Sequence, residues 1–200
     1  MAATDESDQP FDAAFEPYDR QIGLLLRSWN DLQEKLADLF STLTSPHDRG
    51  LARAIWYAIP NDRLQRAALR AAAEYLFHSD STDDVTIKAE IKWIVDRANS
   101  LGQQRDTAAH APVSFLIDEP YELISRQLQG NPLAKQLEGK KLLEEFRLYR
   151  QRAIMLHDHA DVIEQYLGLG VEVGLGPKDL FGPEEPIAER FAGRPGHARP

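Results

Sequence analysis

Arg105, Asp106 and His110 fall within one six-residue stretch, RDTAAH, and carry the groups needed to work on a phosphate ester. A guanidinium holds two phosphate oxygens at once through its planar fork, and an imidazole titrating near neutrality can take up or give back a proton. Residues five apart on a continuous helix are rotated by about 140° and face different ways. The two groups meet only if the helix breaks between them. Pro112 biases Ala111 away from helical geometry, so the helix is expected to stop near His110, with a break after Ala108 that folds the imidazole back. The spacing recurs as Arg152 with His157 and, more loosely, as Arg152 with His159 and Arg190 with His197. Position separates the first pair from these, because Arg152 lies inside an uninterrupted helical pattern and Arg190 in a Gly/Pro-rich tail.

A second constellation is LHDHAD, Leu156 to Asp161, where His157, Asp161 and Glu164 share one helical face at a spacing that suits metal ligation. The His157-Asp158 dipeptide is similar to that of the all-α metal phosphohydrolases, which need a further histidine and a distant aspartate on neighbouring helices. Asp179 is the one aspartate after Asp161, so no metal site is expected. The chain has no cysteine, which excludes thiolate metal sites, disulfides and a cysteine nucleophile. Serine-nucleophile, phosphate-loop and zinc-protease signatures are absent as well. The two Gly-Leu-Gly triplets after residue 167 neither follow a strand nor open a helix, so they are no dinucleotide loop.

The elements that must position these residues are helical. Between Tyr18 and Leu43 the residues Ile22, Leu25, Trp29, Leu32, Leu36 and Leu39 step by threes and fours, one stripe of a long amphipathic helix. A second helical region, Leu51 to Phe77, is interrupted at Pro60, with Asn61 or Asp62 placed to cap its restart. Its alanine-rich part, Ala67 to Ala73, predicts a close helix contact inside the bundle. The third helix, Val85 to about Ala108, carries the stripe Ile87, Ile91, Ile94, Ala98, Leu101 and Arg105, so Arg105 sits where a core residue belongs. Val113 to Ile117 reads as an extended connector. After Gly130, Asn131 and Pro132 announce a start and Gly139 breaks it, the last helix runs from about Lys140 to Leu167 with Leu142, Phe146, Tyr149, Ala153, Leu156, Ala160, Ile163 and Leu167 on one face. The fold class expected is an all-α, up-down, four-helix-type bundle over residues 18–167. Residues 1–17 are expected to be a disordered leader and 168–200 a flexible Gly/Pro-rich tail.

The formal charge of -9 opposes a nucleic-acid-coating surface, although residues 1–17 and 168–200 account for -6 of it, the middle carries only -3, and Lys135 to Arg152 holds six bases against three acids. Glu144 and Glu145 interleave those bases at helical spacing, which predicts surface pairing. Trp29, Trp56, Trp93, Phe146 and Tyr149 are expected in the core rather than stacked on bases. No apolar run approaches the length of a membrane span and the first residues are acidic, so a cytoplasmic protein with no membrane partner is expected.

An arginine, a polar residue and then a histidine after four to six intervening positions, set between the third and fourth helices of an all-α bundle, resembles the motif of the HEPN superfamily. RDTAAH places Arg105, Asp106 and His110 in the three motif positions. The resemblance covers residues 18–167 by architecture and six residues by identity. It implies a metal-independent ribonuclease without a cofactor, or a relative that binds RNA or a nucleotide, working as a homodimer that brings two motifs together. Arg105 would then stabilise the phosphate, and His110 would act as general acid or base on a 2′-hydroxyl or its leaving group. The alternative is a non-catalytic helical protein–protein interaction module. In that case Arg105 lays its stem on the core and pairs its head with Asp106, Asp118 or Glu119, while His110 bonds a carbonyl at the helix end.

Overall fold

The computed structural model describes residues 9–79, 81–110, 113–115, 123–125 and 132–169. Six helices and one short hairpin make them up: α1 (Gln9–Thr44), α2 (Arg49–Ala58), α3 (Asp62–Leu76), α4 (Thr82–His110), β1 (Val113–Phe115), β2 (Leu123–Ser125), α5 (Pro132–Leu137) and α6 (Leu142–Leu169). The chain is an all-α bundle, as the periodicity requires.

The helices alternate in direction. Arg53 pairs with Glu34 and Asp38, so α2 runs back along α1. Arg66 meets Asn99, Arg70 meets Asp96 and Arg105 meets Asp62, so α3 and α4 are antiparallel. Gln104 meets Arg152 and Glu90 meets His159, which sets α4 antiparallel to α6 as well. The most extensive interface joins α1 to α6. Lys35 meets Asp161 and Thr42 meets Glu164, so these two long helices run side by side in the same direction.

On α6 the stripe from Leu142 to Ile163 is buried and its last member, Leu167, is half-buried against the core; Leu25, Trp29, Leu32, Leu36, Leu39 and Leu43 of α1 and Ile91, Ile94, Ala98 and Leu101 of α4 are buried as well. Around the second half of α1 burial goes beyond one stripe, taking in Ala37, Phe40, Ser41 and Thr42. The hydroxyls there are satisfied locally: Ser41 Oγ donates to the Ala37 carbonyl at 2.7 Å and Thr42 Oγ1 to that of Asp38 at 3.0 Å. Asn61 caps α3 by accepting the Leu64 N–H at 2.9 Å, and Gly139 takes the left-handed conformation, φ 70°, between α5 and α6.

Four expectations change. Helix α1 begins at Gln9, not Tyr18, and passes through Pro17. Phe15 and Tyr18 extend the apolar stripe onto the core, and the Tyr18 hydroxyl accepts the Leu123 N–H at 3.2 Å, so tertiary anchoring overrides the proline signal. Val113–Phe115 is not an isolated connector but pairs antiparallel with Leu123–Ser125, a partner too short to announce itself. In the alanine-rich part of α3, Ala73 is buried and Ala68 and Ala72 pack on the core, but Ala67 and Ala71 face outward. Helix α4 continues without a break through Ala108 and Ala109 to His110. Residues 1–8 of the expected leader, Pro112, and residues 170–200 of the expected tail lie outside the described residues.

Leu36 is fully buried in the second half of α1, so Leu36→Ala should cost about 3 kcal/mol, read as a lower denaturation midpoint at unchanged slope. Burial would raise the Glu145 carboxyl, but hydrogen bonds from Lys140 at 3.0 Å and Tyr149 at 2.8 Å, with the Arg152 charge, outweigh it and hold the group below 4.5. A depressed carboxyl stabilises the fold above its unfolded value and loses that contribution as the pH falls through its folded value. Unfolding followed below pH 4.5 should show a shallower acid-side loss in Glu145→Gln than in the parent chain.

Candidate functional site

Trp29 is the centre of the only cluster in which the motif arginine takes part among the described residues. Its indole is buried, 2% exposed, at the junction of α1, α3 and α4. Two guanidinium groups lie against it, Arg66 with its carbon 5.2 Å and Arg105 with its carbon 4.9 Å from the ring centroid. Gly102, almost one turn before Arg105, makes the room. A Cβ there would come within 3.2 Å of Trp29 Cη2 and 3.5 Å of an Arg66 nitrogen.

Most polar groups of this cluster are used internally, Arg105 Nε and Gln33 Nε2 being buried without a hydrogen-bond partner. Arg66, 3% exposed, donates from Nε to Asn99 Oδ1 at 2.9 Å and from Nη1 to Gln33 Oε1 at 3.4 Å. Asp62 Oδ2 lies 3.4 Å from a nitrogen of Arg66 and 3.4 Å from one of Arg105, so a single carboxylate bridges the two cations. Arg105 Nε stands 3.0 Å from Asp106 Oδ1, at ion-pair distance without hydrogen-bond alignment. Burial lowers the Arg66 pKa, opposed by Asp62 and reinforced by the neighbouring Arg105. An arginine starts so far above neutrality that it remains a cation. Two arginines and two aspartates therefore balance in charge around one indole.

Of the three motif residues the structure brings Arg105 and Asp106 together and leaves His110 apart. His110 is exposed on the last turn of α4, and because the helix is continuous its side chain is rotated by about 140° from that of Arg105. Among the carboxylates expected to hold Arg105, Asp106 does so, while Asp118 and Glu119 lie outside the described residues. Asp62 was not foreseen, since it is 43 residues away in sequence and only the antiparallel packing of α3 on α4 delivers it. Trp29 and Gly102 were likewise invisible as partners. The one signal that could have found the cluster is Arg105 on an apolar stripe, which demands a ring or a carboxylate nearby.

The LHDHAD residues disperse. Asp161 Oδ1 and Glu164 Oε2 both accept from Lys35 Nζ, at 2.6 and 3.1 Å, and Glu164 Oε1 accepts from Arg49 at 3.0 Å and from Thr42 at 3.2 Å. Burial would lower the Lys35 pKa, but Asp161 and Glu164 outweigh it and raise it. His157 bonds Asp158 beside an open groove of about 400 Å³ lined by Ser28, Asp31 and Ile154. His159 is buried against Trp93 and its Nε2 lies 2.8 Å from Glu90 Oε2, a link between α6 and α4. No group of three or more potential ligands is gathered for a metal among the described residues. No helix there is long and apolar enough to cross a membrane.

No protein-family model matches the chain, and no curated protein or solved structure is significantly similar to it.

Because Arg66 is buried and bonded from three elements while Arg105 is a quarter exposed, the two arginines should differ in their structural weight. Arg66→Ala should cost about 3 kcal/mol and Arg105→Ala about 1 kcal/mol, with His110→Ala within about 0.5 kcal/mol of the parent in urea unfolding.

Proposed function

We propose that this chain is a non-catalytic helical interaction module whose α2 and α3 receive a partner segment on their outer faces. The observation that carries the reading is an outward apolar stripe. On α2, Leu51, Ala54, Ile55 and Ala58 recur at i, i+3, i+4 and i+7 and are all exposed, Leu51 by 56% and Ile55 by 50%. On α3, Leu64, Ala67, Ala71 and Tyr75 continue the pattern, Tyr75 being 80% exposed. Single exposed apolar side chains are ordinary on a soluble surface, but a periodic run along two consecutive helices is the form taken by helix-docking faces. Beside the stripe Arg63 is exposed without an ion pair among the described residues, and Arg49 and Arg53, paired on their inner sides with carboxylates of α6 and α1, keep 49% and 41% of their side chains in water, so the face suits an apolar segment flanked by carboxylates.

The ribonuclease reading asks for more rearrangement. Asp62 and Asp106 would have to release the Arg105 fork before it could hold a phosphate, and His110 would have to come from a second copy. The interaction reading needs neither. Its test has two arms. Purified protein should leave total RNA intact, and a ribonuclease activity lost in both Arg105→Ala and His110→Ala would overturn the reading. A fluorescent amphipathic peptide with an apolar stripe between glutamates should bind, and Leu51→Glu should weaken it by about tenfold or more.

A further inference from the structure

The last turn of α6 ends beside the first turn of α2. Glu164 Oε1 accepts from Arg49 at 3.0 Å, and a Cβ on Gly168 would lie 3.8 Å from another Arg49 nitrogen. Arg49 is the first residue of α2, two positions before Leu51, so residues 170–200 continue from the end of the bundle at which the exposed stripe starts. Residues 1–8 precede the opposite end of α1 and contain no branched or aromatic apolar residue.

The segment that follows α6 has the chemistry the stripe lacks. Residues 179–191, DLFGPEEPIAERF, combine Leu180, Phe181, Ile187 and Phe191 with four acids and one base, a charge of -3. The cations that border the stripe in water are Arg49, Arg53 and Arg63, whereas Arg66 is buried and takes no part. Reach is ample, since the ten residues of α2 span about 15 Å and the nine residues 170–178 can extend about 30 Å. Tethering also raises the local concentration of the segment to the order of millimolar, so a weak contact suffices.

We propose that residues 179–191 of the same chain dock along the α2 stripe, with apolar side chains on Leu51 and Ile55 and carboxylates towards the flanking arginines. The inference rests on the interaction-module reading and adds regulation to it: the chain's own segment competes with the external partner for one surface. Arg63, exposed and without an ion pair among the described residues, is the cation best placed to receive an acid from it.

Because the chain has no cysteine, a nitroxide can be attached uniquely through Gly182→Cys in the full-length protein. Amide signals of residues 49–58 should broaden while those of 142–150 do not, and the broadening should disappear in Leu51→Glu/Ile55→Glu and in Ile187→Asp/Phe191→Asp. Ile187→Asp/Phe191→Asp should also bind the acidic amphipathic peptide about tenfold more tightly than the parent chain. Uniform or absent broadening overturns the proposal. So does broadening that persists when isotope-labelled chains without nitroxide are mixed with unlabelled spin-labelled chains, since a second copy then fills the face. If the peptide binds the parent and the segment variant equally, the docking face stands and the regulatory segment falls. A peptide that binds neither the parent nor the segment variant removes the docking face itself.

Discussion

The fold depends on the enclosure of the second half of α1. From Leu36 to Leu43 this helix is covered by α2 and α3 on one side and by α6 on another, so only Asp38 among those residues keeps appreciable contact with water. A helix surrounded in this way fixes its neighbours, because each must present an apolar face to a rod it cannot move. It also leaves little tolerance for polar atoms, which is why Ser41 and Thr42 turn their hydroxyls back onto the helix's own carbonyls. The ion pairs of Glu34, Lys35 and Asp38 then ring the enclosed segment where it meets solvent.

Enclosure explains why α2 and α3 look outward with apolar residues. Each is short and can bury one edge against α1, Ala52 and Trp56 from α2 and Leu69 and Ala73 from α3. Apolar residues on their opposite edges have nothing left within the described bundle to cover them. The cost of leaving Leu51, Ile55, Leu64 and Tyr75 in water is small beside the fully buried core, yet it is not offset by any contact of the described residues.

Much of this was legible in the sequence. The helical stripes of α1, α4 and α6, the interruption at Pro60 with its Asn61 cap, and the break at Gly139 all follow from period and turn chemistry, which are local. What could not be read was what depends on distance. The pairing of β1 with β2, the passage of α1 through Pro17 and the meeting of Asp62 with Arg105 come from contacts between segments far apart in the chain. The motif shows the same division. Its letters and its place near a helix end could be read in advance, but the direction of Arg105 is set by Trp29 and Gly102, and that of His110 by two further residues of helix before the stop. An arginine on an apolar stripe announced a partner without saying which.

Helices α4 and α6 are antiparallel, so the end of one and the start of the other are already neighbours and a handful of residues would join them. The chain uses 31 there, from Ala111 to Lys141, holding the hairpin and α5. Tyr18 and Thr107 tie that material to the end of the bundle through hydrogen bonds to Leu123 and Gln136, Ser125 bonds the Ala134 carbonyl within it, and Leu123 and Leu137 are buried in the common core. Loop closure costs grow only with the logarithm of length, so the extra length by itself costs the bundle little. The length of the insertion is therefore cheap while its contents are not free: Leu123 and Leu137 close the apolar core at this end, so the cap serves as the lid of the rods it joins.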